Sequence, residues 1–261
     1  MTLVTLLQGR AAEPVPVPIP NPGPMPGTPL LTIVQQVCAV VGVAIPSSVF
    51  NAINANRTMQ EMLQLADEMA QRIAYDNREW MLLRKQQIYY GDGVTTAFYL
   101  PADFQRMLLT SGVWRSTQTQ SPMRFIPDFD EWLQRRAQGY YDSRGEWTMT
   151  GGQMHIHPPL GNGITARYGY LDKNCVALAT GGLSDHFLND ADTFRLNARL
   201  LKLGMIWQWK AQKGSPYAED MGTYGDAIAM LFGYDSPSPI IIGRHPISFN
   251  ARIAYPWPVP T

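Results

Sequence analysis

Apolar residues recur at helical spacing in four stretches of the chain and at strand spacing in the region between them. Leu30, Ile33, Val34, Val37, Cys38 and Val41 keep one helix face until Gly42, with Thr28 placed to cap it and Pro29 at its first position. A second helix opens on the capping box Thr58-x-x-Glu61, and Met62, Ala66, Met69, Ile73 and Trp80 mark its buried stripe. A third is expected to begin near Asp190 and Asp192 and to carry Leu196, Leu200, Leu203 and Trp207 on one face before Gly214. Ser215 then caps a fourth, with Pro216 in its first turn and Tyr217, Met221, Tyr224, Ile228 and Leu231 at spacings of four and three. The short turn at Gly214 makes the last two an antiparallel hairpin.

From about Lys85 to Ala179 the period changes to two. Gln87 to Tyr90, Gly91-Asp92-Gly93 and Thr95 to Leu100 predict one β-hairpin; Trp147 to Thr150, Gly151-Gly152 and Met154 to His157 predict another. Thr165 to Tyr170 adds a further strand, and Gly161-Asn162-Gly163 reads as one more hairpin turn. A short helix interrupts the strands, with Asp128 and Glu131 as a capping box and Phe129, Trp132 and Leu133 inward, ending at Gly139. The pattern predicts an α+β fold: a helical bundle formed by the N- and C-terminal helix pairs (30–84 and 185–234) with an inserted antiparallel β domain (85–184). The bundle positions are Met62, Met69, Ile73, Trp80, Leu196, Leu200, Leu203, Trp207, Tyr224 and Ile228, because each helix has one apolar stripe that it cannot bury alone.

The two ends break both periods. Eight of the 21 prolines fall between Pro14 and Pro29, and in Pro14-Val15-Pro16-Val17-Pro18-Ile19-Pro20 every second residue lacks an N–H. Residues 1–29 therefore read as an extended polyproline II arm, either a solvated spacer or a strap in a neighbour's groove. The tail, 235–261, is proline-broken but apolar, with Ile240, Ile241, Ile242, Ile247, Phe249, Ile253, Tyr255 and Trp257. An extended segment cannot bury these against itself, so it is expected to dock on a partner.

Composition sharpens this reading. Charged residues are 16% of the chain, below the roughly 25% usual for soluble domains, so an assembly is expected to cover part of the surface. Lys plus Arg equals Asp plus Glu at 21 each, without the positive excess that tight nucleic-acid binding requires. Cys38 and Cys175 have no metal spacing and suggest no disulfide framework, which fits a reducing compartment. The longest apolar stretch, Leu30 to Ile45, is interrupted by Thr32, Gln35 and Gln36 and is too short for a membrane span, and Met1 to Leu7 lacks the basic start of a secretory signal.

Candidate chemistry is sparse. His155-x-His157 places two imidazoles on one strand face, but no third ligand stands at a recognisable spacing. Asn189-Asp190-Ala191-Asp192 gathers carboxylates that could hold a cation or work as an acid–base pair, although helix capping explains them too. His186 follows Asp185, and Trp207 and Trp209 could stack on bases or sugars. No phosphate loop and no nucleophile elbow is present. No catalytic residue, metal ligand or cofactor is assigned.

A set of pieces in fixed order carries a resemblance. Leu65-Ala66-Asp67-Glu68 leads to Tyr75-Asp76-x-x-Glu79-Trp80-x-x-Leu83, then Leu100-Pro101-Ala102-Asp103-Phe104-Gln105-Arg106, then Asp190-Ala191-Asp192-Thr193-Phe194. Leu200 to Trp207, Lys210-Ala211-x-Lys213-Gly214 and Tyr217-Ala218-Glu219-Asp220-Met221 complete it. Over about Leu30 to Gly233 the chain resembles the head-to-tail adaptor proteins of short-tailed bacteriophages. The resemblance implies a structural virion protein made in the host cytoplasm and no enzyme: a homo-oligomeric ring, commonly of twelve copies, docked on the portal protein. Such a ring receives tail proteins (nozzle, fibre or spike) and lets genome DNA pass without specific binding, with no membrane partner. The eight apolar tail residues would be the portal-binding element. The competing readings are a phage-encoded hydrolase of cell wall or nucleic acid, and a carbohydrate-binding module.

Overall fold

The computed structural model describes residues 27–51, 56–76, 78–109, 111–118 and 120–234. The proline arm and the apolar tail, including all eight residues expected to bind a portal, lie outside them.

The chain is mixed α and β. Helix α1 (Leu30–Val41) and α2 (Arg57–Gln71) come first; α2 runs into one turn of π-helix, Arg72–Asp76, and a 3₁₀ turn, Met81–Leu83. Strands β1 (Arg84–Tyr90), β2 (Ala97–Tyr99), β3 (Phe104–Met107), β4 (Trp114–Arg115) and β5 (Arg124–Phe125) precede α3 (Phe129–Gln138). Then come β6 (Glu146–Thr150), β7 (Gln153–His157), β8 (Thr165–Asp172), β9 (Val176–Ala177), β10 (Leu183–Ser184) and β11 (Thr193–Phe194). Helices α4 (Ala198–Gln212) and α5 (Ala218–Tyr234) close the described chain.

Two hydrophobic clusters organise these elements. The first joins α1, α2, α4 and α5 with Leu171, Cys175, Val176, Phe187 and Phe194. All ten expected bundle positions belong to it: Met62, Met69, Ile73, Trp80, Leu200 and Tyr224 buried, Leu196, Leu203, Trp207 and Ile228 partly buried against it. The second fills the space between two sheets, with Tyr89, Ala166, Tyr168 and Tyr170 from one and Trp147, Met154 and Ile156 from the other. In the first sheet β8 is central, with β1 on one side and β3 and β4 on the other, all antiparallel. The second has the order β2-β7-β6-β5, with β5 and β6 parallel. The Tyr89 hydroxyl crosses between the layers, donating to the Tyr99 carbonyl at 2.9 Å and meeting the Tyr168 hydroxyl at 3.0 Å. A small third sheet, β10-β9-β11, lies at the helical side.

The β6–β7 hairpin forms as the period predicts, turning at Gly151 and Gly152, both left-handed. The hairpin expected around Gly91-Asp92-Gly93 does not form. Strand β1 pairs along its whole length with β8, from Arg84 opposite Leu171 to Tyr90 opposite Thr165, while β2 joins the other sheet beside β7. The turn itself redirects the chain. The Gly91 N–H donates to the Ile164 carbonyl and the Gly93 N–H to that of Leu160, while the Asp92 carboxylate accepts from the N–H groups of Val94 and Thr95. A Cβ on Gly91 would stand 2.4 Å from the carbonyl oxygens of Leu160 and Gly161, so only glycine permits this approach. The Gly161-Asn162-Gly163 turn likewise links strands of different sheets rather than a hairpin.

Helix starts differ from expectation for one recurrent reason: asparagine or a distant backbone carbonyl takes the capping role. Asn56, not Thr58, caps α2 by accepting from the Thr58 N–H, and Glu61 instead meets Arg57 and Lys213 at 3.0 and 2.6 Å. Asn197 caps α4 by accepting from the N–H groups of Arg199 and Leu200, so that helix begins after Asp190 and Asp192, not at them. Pro29 rather than Thr28 is the residue before α1, and the free N–H groups of Leu30 and Leu31 donate to the carbonyls of Asp192 and Asp190. Helix α5 begins at Ala218, past Ser215.

Some stripes are also narrower or shifted. Trp80 lies beyond α2, its Nε1–H donating to the Ile73 carbonyl at 2.7 Å. In α3 only Trp132 is buried, while Phe129 and Leu133 are exposed; in α5 Tyr217, just before the helix, and Met221 are exposed. Along α4 the deepest face runs through Leu201, Met205 and Trp209, so Trp209 rather than Trp207 is the core tryptophan.

Asp172, fully buried at the end of β8, ties the clusters together. It accepts from Lys85 Nζ at 2.9 Å, from Arg195 Nη1 at 2.8 Å and from the Asn174 N–H at 2.9 Å. Lys85 also donates to Asp103 at 2.5 Å. Burial works against the charges of both Lys85 and Asp103, but their hydrogen bonds outweigh it, holding the Lys85 pKa above and the Asp103 pKa below the usual values.

Trp209→Ala should cost about 3 to 5 kcal/mol in chemical denaturation, the range for an aromatic ring removed from a core. Trp207→Ala should cost clearly less; the reverse order would place Trp207 in the core after all.

Candidate functional site

The acidic loop 189–192 is the first place to look for chemistry, and its oxygens are already engaged. Asp190 Oδ1 accepts from the N–H groups of Val49 at 2.9 Å and Phe50 at 3.4 Å, and Oδ2 from the Ser48 hydroxyl at 2.5 Å. Asp192, 1% exposed, accepts from the N–H groups of Ala179 at 2.9 Å and of Leu188 and Asn189 at 2.7 Å each. The two carboxylates therefore serve different segments. Asp190 holds the connection after α1, and Asp192 closes its own loop onto the end of β9. With their carbonyls taking the first N–H groups of α1, the loop works as an N-terminal cap built from a distant part of the chain.

His155 and His157 project from β7 on the side away from the sheet interface, since Met154 and Ile156 take the buried side. His157 meets Trp132 and Tyr141 edge-on, with centroids 6.4 and 5.2 Å apart. Burial first, and the positive charge of Arg136 second, lower the pKa of both imidazoles; at His157 Glu146 opposes this. Asp185 stands 2.6 Å from His186 Nδ1, an exposed pair, and this contact lowers the Asp185 pKa. Among the described residues, no group of three or more His, Cys, Asp or Glu side chains is arranged to hold a metal ion. Cys38 and Cys175 are free and buried, and burial pushes the Cys175 thiol up to about 11, away from reactivity. No helix of the described residues is long and apolar enough to cross a membrane.

Among the described residues, two apolar surfaces stand out. Helix α5 buries only Tyr224 among side chains 218–231, attaching to α4 through that seam and the Lys210–Asp220 ion pair at 2.6 Å. Its outer face runs through Ala218, Gly222, Gly225 and Ala229, flanked by exposed Met221 and Met230. A Cβ added at either glycine would touch nothing within 4 Å, so another backbone could come close. The second surface is a groove of about 530 Å³ between the edge strands of the two main sheets, lined by Phe104, Met107, Pro122, Phe125, Trp147 and Met149 among others. Its residues come from three separate strands and two loops, so no spacing in the sequence foretold it.

No family model matches this chain, and no curated protein matches it in sequence.

Asp192→Ala should strand three N–H donors in a closed loop and lower stability by about 3 kcal/mol or more, at about 1 kcal/mol or above per donor; a loss under about 0.5 kcal/mol would show the loop to be free for other chemistry. The histidines give a pH dependence of definite sign. Their folded pKa values lie below the unfolded value near 6.5, so the unfolded chain binds more protons there and stability falls as pH drops through about 6.5 toward 5.5. His157→Phe should flatten that slope in denaturant titrations at pH 7.5 and 5.5, and an unchanged slope would contradict it.

Proposed function

We propose that this chain is a head-to-tail adaptor of a short-tailed bacteriophage: a structural virion protein, not an enzyme, whose copies form a ring on the portal vertex and receive the tail proteins. The ordered set of residues from Leu65 to Met221 supplies the resemblance. The observation that carries the reading is α5, an apolar helix whose outer face lacks any covering element among the described residues. A neighbouring copy supplies that cover. Small residues at Ala218, Gly222, Gly225 and Ala229 allow close approach of another helix. In this reading the outer helix pairs form the ring-building bundle, the β region serves the tail side, and the apolar residues Ile240 to Trp257 bind the portal. Genome DNA passes through the ring without specific contacts, consistent with the zero net charge.

A hydrolase is disfavoured because the carboxylates that would serve it are engaged with backbone N–H groups and Ser48. The glycan-binding reading loses one of its two tryptophans, since Trp209 is spent on the core.

Native mass spectrometry and electron microscopy of the full chain, alone and with portal protein, test the proposal. A closed ring, commonly of twelve copies, is expected. Ala229→Arg, at an exposed position, should abolish ring formation while moving the monomer's melting temperature by less than about 2 °C, as surface changes do. Truncation after Tyr234 should leave the core's stability nearly unchanged and abolish portal attachment. A chain that stays monomeric with portal present, or rings that tolerate arginine at 229, would overturn the reading.

A further inference from the structure

We propose that the groove between the edge strands β3 and β5 is the seat of the chain's own proline arm, Pro14 to Pro20. The inference is independent of the adaptor reading and stands on three observations.

The first is the lining. Phe125, 49% exposed, lies 4.5 Å centroid to centroid from Trp147 at a tilt of 35°, and Phe104, Met107, Pro122 and Met149 complete an apolar trough. Aromatic troughs of this kind take polyproline II segments, which arrive already extended and lose little entropy on docking. The second is composition: with every second N–H missing, Pro14 to Pro20 brings few donors that docking on an apolar surface would leave unpaired.

The third is reach. The described chain begins at Gly27, and Pro29 is bridged to Thr193. Two residues on, Arg195 holds Asp172 at 2.8 Å, and Asp172 stands opposite Phe104 in the β3–β8 pairing. Followed step by step, that path is on the order of 25 Å, and the straight line is shorter. The residues from Pro20 to Thr28, extended at about 3.1 Å each, span roughly the same distance. Attachment to the same chain makes docking an intramolecular step once the linker is extended. The C-terminal tail is the poorer occupant. It leaves from the far end of α5, and its isoleucine run retains the N–H groups that the arm lacks.

Photo-crosslinking in the full-length chain tests this. p-Benzoylphenylalanine is placed at position 125 or, in a second variant, at the exposed rim residue Gln105, and a one-to-one mixture of ¹⁵N-labelled and unlabelled protein is irradiated and mapped by mass spectrometry. The expected result is cross-links from both positions to residues 14–20 with matched isotopes, showing attachment within one chain. Pro16→Ser with Pro18→Ser should lower the yield at least about five-fold. Mixed-isotope cross-links, which place the arm of a second copy in the groove, would overturn the assignment. So would cross-links to 236–261, or none to the arm from either position.

Discussion

A carboxylate with no access to water at the end of β8 must be satisfied by protein, and two segments distant in sequence converge on it beside its own turn. Lys85 reaches Asp172 from the start of β1, Arg195 from the approach to α4, and the Asn174 N–H from the turn that follows β8. Taking such charges out of water is expensive, and removing one partner of a buried pair typically costs about 3 to 5 kcal/mol because the other is left stranded. The start of β1 and the approach to α4 are therefore fixed relative to the end of β8. The sheet pair hangs from this junction on one side and the four helices on the other. Arg195 also donates to the Asn174 carbonyl, and the Tyr75 hydroxyl to that of Lys173, so the turn after β8 is held from both directions.

With the junction fixed, the distribution of apolar surface follows. The helical cluster consumes α1, α2 and one face of α4, and the sheet cluster consumes the facing sides of two sheets. Exposed apolar side chains remain at many places, from Val40 on α1 to Tyr99 and Leu133, but two surfaces stand out among the described residues: the outer helix and the trough at the open edge of the sheet pair.

The helices and longer strands are legible where the period is long and regular: α1, α2, α3, β6, β7 and β8 stand where periodicity placed them, whereas β3, β4, β5, β9, β10 and β11, two to four residues each, are too short to show one. Pairing is poorly legible. The glycine turn at 91–93 has the composition of a hairpin, and only its hydrogen bonds to Leu160 and Ile164, nearly seventy residues on, divert β2 to the other sheet. Capping was misplaced where several polar residues compete within a few positions, as Asn56 with Thr58 and Asn197 with Asp192. The Asp172 junction and the trough around Trp147 have no local signal, since their members are brought together only by tertiary structure. Trp207 and Trp209 show the limit of periodicity: they face nearly opposite ways, each at helical spacing from other apolar residues, and only tertiary packing makes Trp209 the deeper.

The placement of α1 and α2 against α4 has a consequence for synthesis. A chain leaving the ribosome presents Leu30 to Ile73 long before Leu200 and Leu201 exist to cover them. At about 5 to 20 residues per second, the gap between Val41 and Leu200 lasts roughly 8 to 30 seconds. During that interval the N-terminal helices carry a bare apolar stripe, and the sheet pair, whose strands β1 and β8 must both be present, closes before the helical core can. In that interval the strands of both main sheets are present while α4 and the Arg195 partner of Asp172 are not, and chaperones that hold apolar helices have their opportunity.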